Sequence, residues 1–527
     1  MKKHQSRFTH RKSDLLLLAS LIASAMPAVA DVRLPRIFTD DMMLQRDLPV
    51  RVWGWADPGE EVSVTLAGKS AKARTSDGGQ WSLELPAMKT GENLELTVKG
   101  KNSVTLKNVI LGDIWVCSGQ SNMEWTLRQC LGGGDDIKAA DFPKIRHIKF
   151  NKARSGQPEA DAPLATPWQV CSPSTAAGFT GVGFYFGREI LAKTGVPIGL
   201  VYSNWGGTHI EPWTPVEGLG LVTELKPLFD AAQGYRTKLP EALTQLEGWI
   251  AQTRKNLANG TAITPAPAIP TGTVQKPWSD MYNAMIHPLV RFPIKGAIWY
   301  QGESNGAEGE TYYQKKRALI GGWRKNWGQG DFPFYFVQLA SFQGVNPNPE
   351  GGNGWAKLRE AQLKTLSVPN TGMAVITDTV PLAQAGDIHP GNKYDVGLRL
   401  AQWALGKDYA QKGVVVSGPL FKALKVEGGK ARLQFDHVGS GLMVGKKAGR
   451  APAVEDKEGK LARFAIAGAD KKWVWADAVI EKDSVVVSSP EVAEPAAVRY
   501  GYEMNPTGSN LYNREGLPAS PFRTDAW

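Results

Sequence analysis

The chain has few of the residues that metal and redox chemistry draw on, with three cysteines and seven histidines in 527 residues. Three cysteines exclude a disulfide framework and leave room for one bridge. Cys130 and Cys171 lie in stretches that read as loops and make the better pair, whereas Cys117 sits in an apolar run and reads as a small buried residue. Clusters of His, Cys, Asp and Glu at metal-ligand spacing are lacking, so zinc is a poor fit and no metal or cofactor is expected. No apolar run reaches the roughly 20 residues of a membrane span. A concentrated basic stripe is lacking too. The formal charge is +10, but residues 1–30 hold five Lys/Arg against Asp14, a net of +4, which leaves +6 on the rest. That is mild, and nucleic-acid binding is not expected.

What is present begins with those first 30 residues. Lys2, Lys3, Arg7, Arg11 and Lys12 open the stretch, residues 15–25 are apolar, and Ala28-Val29-Ala30 offers small residues for cleavage. This is the pattern of a secretory signal. Cleavage after Ala30 is expected, placing the protein in the periplasm or outside the cell without a membrane anchor. The remainder, roughly 500 residues, is too long for one ordinary domain.

Residues 31–110 read as an all-β module. Alternating stretches at 50–55, 62–66, 81–85 and 94–98 are separated by Pro58-Gly59, Asp77-Gly78-Gly79 and Thr90-Gly91, as in a small sandwich. Strand patterns return at 414–416, 431–435, 473–476, 484–487 and 497–500. Residues 413–527 therefore read as a C-terminal β-sandwich-like module, with 501–527 an ordered tail at most. Between the two, residues 111–412 alternate apolar strands with helical stretches, which indicates an α/β domain on a mostly parallel sheet flanked by helices. An insertion at about 216–275, first helical and then rich in Pro, Ala and Thr, interrupts it.

The α/β region is organised around residues 111–125. Ile114, Trp115, Val116 and Cys117 form a short buried strand, Ser118-Gly119-Gln120 breaks the pattern, and a helix-compatible run begins at Ser121. A serine in that place commonly caps the helix. It also suits a nucleophile, because its hydroxyl projects from the end of the sheet and its N–H points where an oxyanion can sit. A second buried strand, residues 198–202, ends in Ser203-Asn204-Trp205-Gly206-Gly207-Thr208. Ligands of open α/β sheets collect beyond such carboxyl ends. Further along, Trp299-Tyr300-Gln301-Gly302-Glu303-Ser304-Asn305 and Gly386-Asp387-Ile388-His389-Pro390 add amides, acids and an imidazole. After residue 30 the histidines are His147, His209, His287, His389 and His437. His389 is favoured as a base because a carboxylate is near and it follows a sheet strand.

Taken in order, Gly-Gln-Ser-Asn-Met, Gly-Gly-Thr, Gln-Gly-Glu-Ser and Asp-x-His-Pro give the chain, from about Leu34 to its end, a specific likeness. It resembles bacterial sialate O-acetylesterase-type proteins, within the serine esterases called SGNH hydrolases. The resemblance implies an SGNH-hydrolase-like α/β fold and a partner that is an O-acetylated sugar or glycan. The first expectation is 9-O-acetyl sialic acid, and the second is acetylated xylan or another polysaccharide. Ser121 is the implied nucleophile and His389 the implied base. For the acid the resemblance allows Asp387, Glu303 or both. Many SGNH enzymes place the acid three residues before the histidine, and here that position is Gly386. Gly206 is the implied oxyanion donor beside the Ser121 N–H, with Gly207 its neighbour. The family's usual third donor is an asparagine side chain, and this block offers Gln301, which is favoured, and Asn305. Arg128 is a candidate partner for a sialate carboxylate, and otherwise a solvated helix charge. A reading of another class, a carbohydrate-binding protein with a vestigial esterase site, draws on the two β modules and 18 tryptophans. The intact Ser121/His389 pair argues against it.

Overall fold

A computed structural model describes residues 31–267 and 278–527, and the expected secretory signal lies outside the described residues. The central strand, β1 (Ser103–Gly119), is 17 residues long. Its first part alternates exposed and buried positions, as a strand with one wet face does, and from Val109 onward every residue is buried. That change in pattern marks a strand that passes from an antiparallel sheet into a parallel one covered on both faces. Residues 103–111 pair antiparallel with Gly91–Lys99, and residues 113–119 lie inside the α/β sheet. The boundary expected between 110 and 111 falls within this one strand.

The α/β sheet adds β2 (Phe142–Phe150), β3 (Leu164–Cys171), β4 (Ile198–Asn204), β5 (Gly296–Tyr300), β6 (Phe334–Val337) and β7 (Thr371–Ala374). Their order is β7-β6-β5-β1-β4-β2-β3, with every neighbouring pair parallel except β2 and β3. Besides two short helices, Gly133–Lys138 and Val216–Leu219, the α-helices among the described residues are α1 (Ser121–Glu124), α2 (Gly181–Thr194), α3 (Lys226–Ala258), α4 (Glu310–Trp327), α5 (Ala356–Lys364) and α6 (Lys393–Lys407). One apolar cluster joins Val182 and Phe186 of α2 and Leu400 of α6 to Cys117 and Ile298 of the sheet, while another joins Trp323 of α4 and Leu358 of α5 to Val116 and Trp299. Neighbouring residues of β1 thus face opposite cores. The chain moves to one side of β1 for β2 to β4 and to the other for β5 to β7. Strand order therefore reverses at β1, which opens a crevice beyond the carboxyl ends of β4, β1 and β5.

In the N-terminal region Val50–Trp55 pairs with Gln80–Leu85, and Glu61–Leu66 lies between Lys69–Arg74 and Gly91–Lys99. Lys69–Arg74 carries too little apolar alternation to be read from the sequence. Near the C-terminus two four-stranded antiparallel sheets share a core that includes Leu433, Phe464, Val485, Val498 and Phe522. Residues 414–416 lie outside any strand, and Val414 and Val416 pack instead against the α/β core.

The last stretch is more than a tail. Leu511–Asn513 and Phe522–Arg523 pair into the sheets, and the Arg359 guanidinium of α5 donates to the carbonyls of Glu503 (2.6 Å) and Met504 (2.8 Å). Cys130 and Cys171, the better candidates for a bridge, do not form one. All three cysteines are buried free thiols; Cys130 faces the Thr126 carbonyl and Cys171 the Ala140 carbonyl, and burial pushes both thiols up to about 12. Among the described residues no helix is long and apolar enough to cross a membrane.

Candidate active site

Gly119 ends β1 with φ at +133°, and a Cβ there would stand 2.1 Å from the Tyr300 carbonyl oxygen of β5. Glycine alone fits both demands. The Gln120 N–H donates to that same carbonyl (2.9 Å), and its side-chain oxygen accepts from the Ser304 N–H (3.3 Å). The turns after β1 and β5 are thereby locked together. Gln120 occupies the cap position of α1, so Ser121 is the first helical residue and its hydroxyl is not a capping group. Instead the Ser121 Oγ lies 2.9 Å from His389 Nε2.

His389 stands on the loop between β7 and α6. Its ring stacks on Trp125 with centroids 5.3 Å apart and planes 17° from parallel. Asp387 shapes the loop, because its Oδ1 accepts the His389 backbone N–H (2.8 Å) and lies 3.4 Å from the ring Nδ1. The Asp387 side chain is 59% exposed. Burial, and then the charge of Lys393, hold His389 below the ordinary histidine value, with Asp387 pulling the other way. The imidazole is therefore neutral at neutral pH, the form a general base needs. Three other histidines are engaged elsewhere, while His209 Nδ1 is buried with no hydrogen-bond partner among the described residues. His147 is buried against Phe179 and lowered by burial to about 3, His287 Nδ1 meets the Glu159 carbonyl at 2.9 Å, and His437 packs on Trp403.

Glu303 opens the turn after β5 and faces Asn122, whose Nδ2 donates to its Oε1 at 2.5 Å. Burial raises the Glu303 carboxyl above its usual range. Its route to His389 runs through Asn122, whereas Asp387 faces the ring directly.

Gly206, after β4, packs on the nucleophile turn so closely that an added Cβ would stand 3.1 Å from the Ser121 Cβ. Its N–H donates to the Glu124 Oε2 at 2.5 Å, and the other Glu124 oxygen meets Lys152 Nζ at 2.6 Å. Gly207 takes a left-handed turn at φ +74°.

Gln301 does not reach the crevice. Its Nε2 donates to the Thr208 carbonyl (3.1 Å) and to Asn305 Oδ1 (2.8 Å), and its Oε1 accepts from the Tyr312 hydroxyl (2.9 Å). Asn305 is equally committed, to Glu211, Glu308 and the Ile210 N–H. Both amides satisfy buried polar groups of the loops, which would otherwise cost about 1–3 kcal/mol each. Arg128 is exposed, and its neighbours Gln129 and Cys130 are the ones that line the cleft next to His389. That cleft has a volume of about 920 Å³ and runs from Trp125 and His389 to residues 445–449 and 506–510 of the C-terminal region.

Sequence reasoning missed Asn122, Glu124, Trp125 and Lys393. The first three stand inside the quoted Ser-Asn-Met-Glu-Trp run, and Lys393 follows His389 by four residues. Their place in that run was the one signal for the first three, and Lys393 gave none.

Known proteins resemble the chain over most of its length. The family model for carbohydrate esterases described as sialic acid-specific acetylesterases matches residues 111–233 and 249–412. The sialate O-acetylesterase of Mus musculus is 31% identical over 432 residues, covering 75% of this chain and 77% of that protein. That of Homo sapiens is 27% identical over 459 residues, covering 80% of each. The crystal structure of a carbohydrate acetylesterase from Xanthomonas citri is 38% identical, covers 94% of this chain and 100% of that one, and superimposes with a TM-score of 0.77.

Proposed function

The chain belongs to the carbohydrate esterase family of sialic acid-specific acetylesterases, and from that premise we propose a serine mechanism acting on O-acetylated sialic acids. The observation that supports it is the 2.9 Å contact between Ser121 Oγ and a neutral His389. In this reading His389 Nε2 takes the hydroxyl proton as Ser121 Oγ attacks the acetyl carbonyl. The negative oxygen that forms is held by the Ser121 and Gly206 N–H groups. Asp387 orients the imidazole and stabilises its charged form. The tetrahedral intermediate then collapses, its C–O bond to the sugar breaks, and His389 returns its proton to the departing sugar oxygen. Water, deprotonated by the same histidine, attacks the acetyl-enzyme and releases acetate and free Ser121.

The α/β region is of SGNH-hydrolase type in this reading, with the serine after β1, the glycine after β4 and the histidine after β7. Residues 31–110 and 413–527 are accessory β modules, and residues 1–30 direct export to the periplasm or beyond.

A second substrate reading, an acetylated polysaccharide, is favoured by the length of the cleft, whose 920 Å³ exceeds what one sugar ring fills. Acetate release from 9-O-acetylated sialic acid and from acetylated xylan, measured side by side, tests the choice. A kcat/KM at least tenfold higher on the sialic acid is expected, and preference for the polysaccharide would replace the first reading with the second. Loss of turnover in Ser121→Ala on either substrate tests the mechanism.

A further inference from the structure

The nucleophile turn carries a second polar residue directly after Ser121. Asn122 is 1% exposed, and its amide makes three contacts with three separate segments. Nδ2 donates to Glu303 Oε1 (2.5 Å) and to the Ile388 carbonyl (3.1 Å), and Oδ1 accepts from Lys393 Nζ. Two donors and an acceptor are thus committed at once. The Ile388 carbonyl belongs to the peptide that leads into His389. Holding it fixes the backbone from which the base projects.

Lys393, the first residue of α6, is fully buried. Its ammonium lies 5.1 Å from the Trp125 ring centroid and 5.3 Å from that of Tyr300. Trp125 is the same ring on which His389 stacks. Ammonium, indole and imidazole are therefore in contact in sequence. A lysine at a helix start is normally solvated, and burying one is costly without compensation. Here the compensation comes from Asn122, two aromatic faces and, beyond the amide, Glu303, whose buried Oε2 has no hydrogen-bond partner among the described residues.

We infer that Asn122 and Lys393 are positioning residues for the His389 base, with the Glu303–Asn122–Lys393 array clamping the histidine loop and setting a fixed positive charge beside Trp125. This rests on the reading of Ser121 and His389 as the catalytic pair. The clamp joins the turns after β1 and β5 to the loop after β7. The charge disfavours imidazolium in the resting site, in the direction opposite to Asp387. Burial brings Lys393 itself down to about 8, so it remains charged across the range in which histidine titrates. The charged and titratable groups around the ring are Asp387 on its own loop, Lys393 on α6, and Glu303 through Asn122. Beyond them, Cys130 and Asp378 line the same cleft, Asp378 paired with Arg399 at 2.6 Å, as do Tyr512, Lys446 and Lys447 from the C-terminal region, the last paired with Asp395 at 2.7 Å.

The test is the pH dependence of kcat/KM for 4-nitrophenyl acetate with the full chain, wild type against Lys393→Gln, Lys393→Arg and Asn122→Ala. Gln keeps a donor for Asn122 but removes the charge, so the acid limb should move up by about half a pH unit or more. Arg keeps the charge and should leave the limb in place. Asn122→Ala should lower kcat at least tenfold with KM changed less than twofold, because the base is displaced and not the substrate. An acid limb unmoved in Lys393→Gln, or wild-type kcat in Asn122→Ala, overturns the inference. If Lys393→Gln does not fold, the Arg and Ala variants still decide, since a shifted limb in Arg or an intact kcat in Ala contradicts it. Failure of the underlying reading is separate. It appears as wild-type enzyme inactive on the ester, or as activity that survives Ser121→Ala.

Discussion

Asp387→Asn tests how much an exposed acid contributes to this site. The replacement is isosteric, and its Oδ1 can still accept the His389 N–H that shapes the loop. What it removes is the charge 3.4 Å from Nδ1, worth about 1.2 kcal/mol to imidazolium in water-like surroundings, or roughly an eightfold effect. The water-like value applies because the carboxylate is more than half exposed, where screening is strong. A buried triad aspartate, by contrast, loses on the order of 10⁴-fold when made Asn. The expected outcome is a loss of about tenfold in plateau kcat/KM. Removing Asp387 also removes the influence that raises the His389 pKa. Activity requires the neutral ring, so the acid limb should shift toward lower pH. Both are read from one pH–rate series on a chromogenic acetate ester. A loss of 10³-fold or more would refute the screening argument, and an unchanged profile would remove Asp387 from the role.

Other expectations follow from the same geometry. Ser121→Ala and His389→Ala should each reduce kcat to a similar floor, with the double variant little worse, because the two act as one unit; additive losses would contradict that. Gly206→Ala inserts a methyl 3.1 Å from the Ser121 Cβ and 2.9 Å from Glu124 Oε2, so displacement of that N–H should cost about 10²-fold in kcat, as loss of an oxyanion donor does, with little change in KM. His147 titrates at about 3 in the folded protein against about 6.5 unfolded. The unfolded chain therefore binds a proton that the folded one refuses, and stability present above 6.5 is lost as pH falls toward 3, by at most about 1.4 kcal/mol per pH unit. Urea midpoints at pH 7 and pH 5 should lie closer together in His147→Gln than in wild type.

The meeting of Ser121 and His389 was legible because each sits in a short motif at a strand end, where local sequence dictates position. The placement of the two carboxylates was half legible, since adjacency puts Asp387 near His389 but cannot reveal that Glu303 is separated from the ring by Asn122. Gln301 was misread for a related reason. Residue type announces two donors, but only the fold shows that Thr208 and Asn305 take both of them. The division between residues 110 and 111 has no linker to mark it, because β1 is one strand leaving a half-wet sheet for a doubly covered one. Lys393 was invisible. A helix-start lysine is ordinarily in water, and its burial depends on Trp125, Tyr300 and Asn122 converging from other elements.

Glu124 poses the sharpest remaining question of the site. Its carboxylate holds the Gly206 N–H at 2.5 Å while Lys152 holds its other oxygen at 2.6 Å. A substrate carbonyl bound by that N–H must first displace a charged acceptor. Hydrogen bonds to charged groups contribute about 1.5–3 kcal/mol. The displaced carboxylate recovers part of this from water and keeps Lys152, so a net penalty of about 1 kcal/mol is the reasonable magnitude, or roughly fivefold in kcat/KM. Glu124→Ala should therefore raise kcat/KM for a small acetate ester by about that factor. Glu124→Gln, a weaker neutral acceptor that has lost its ion pair with Lys152, should fall between Ala and wild type. High salt, which weakens the Lys152 pair that is partly exposed, should change wild type more than Glu124→Ala. A fall in kcat/KM for Glu124→Ala, with the protein folded and Ser121 still reactive toward an organophosphate, would mean that the carboxylate assists the reaction rather than competing with it at Gly206.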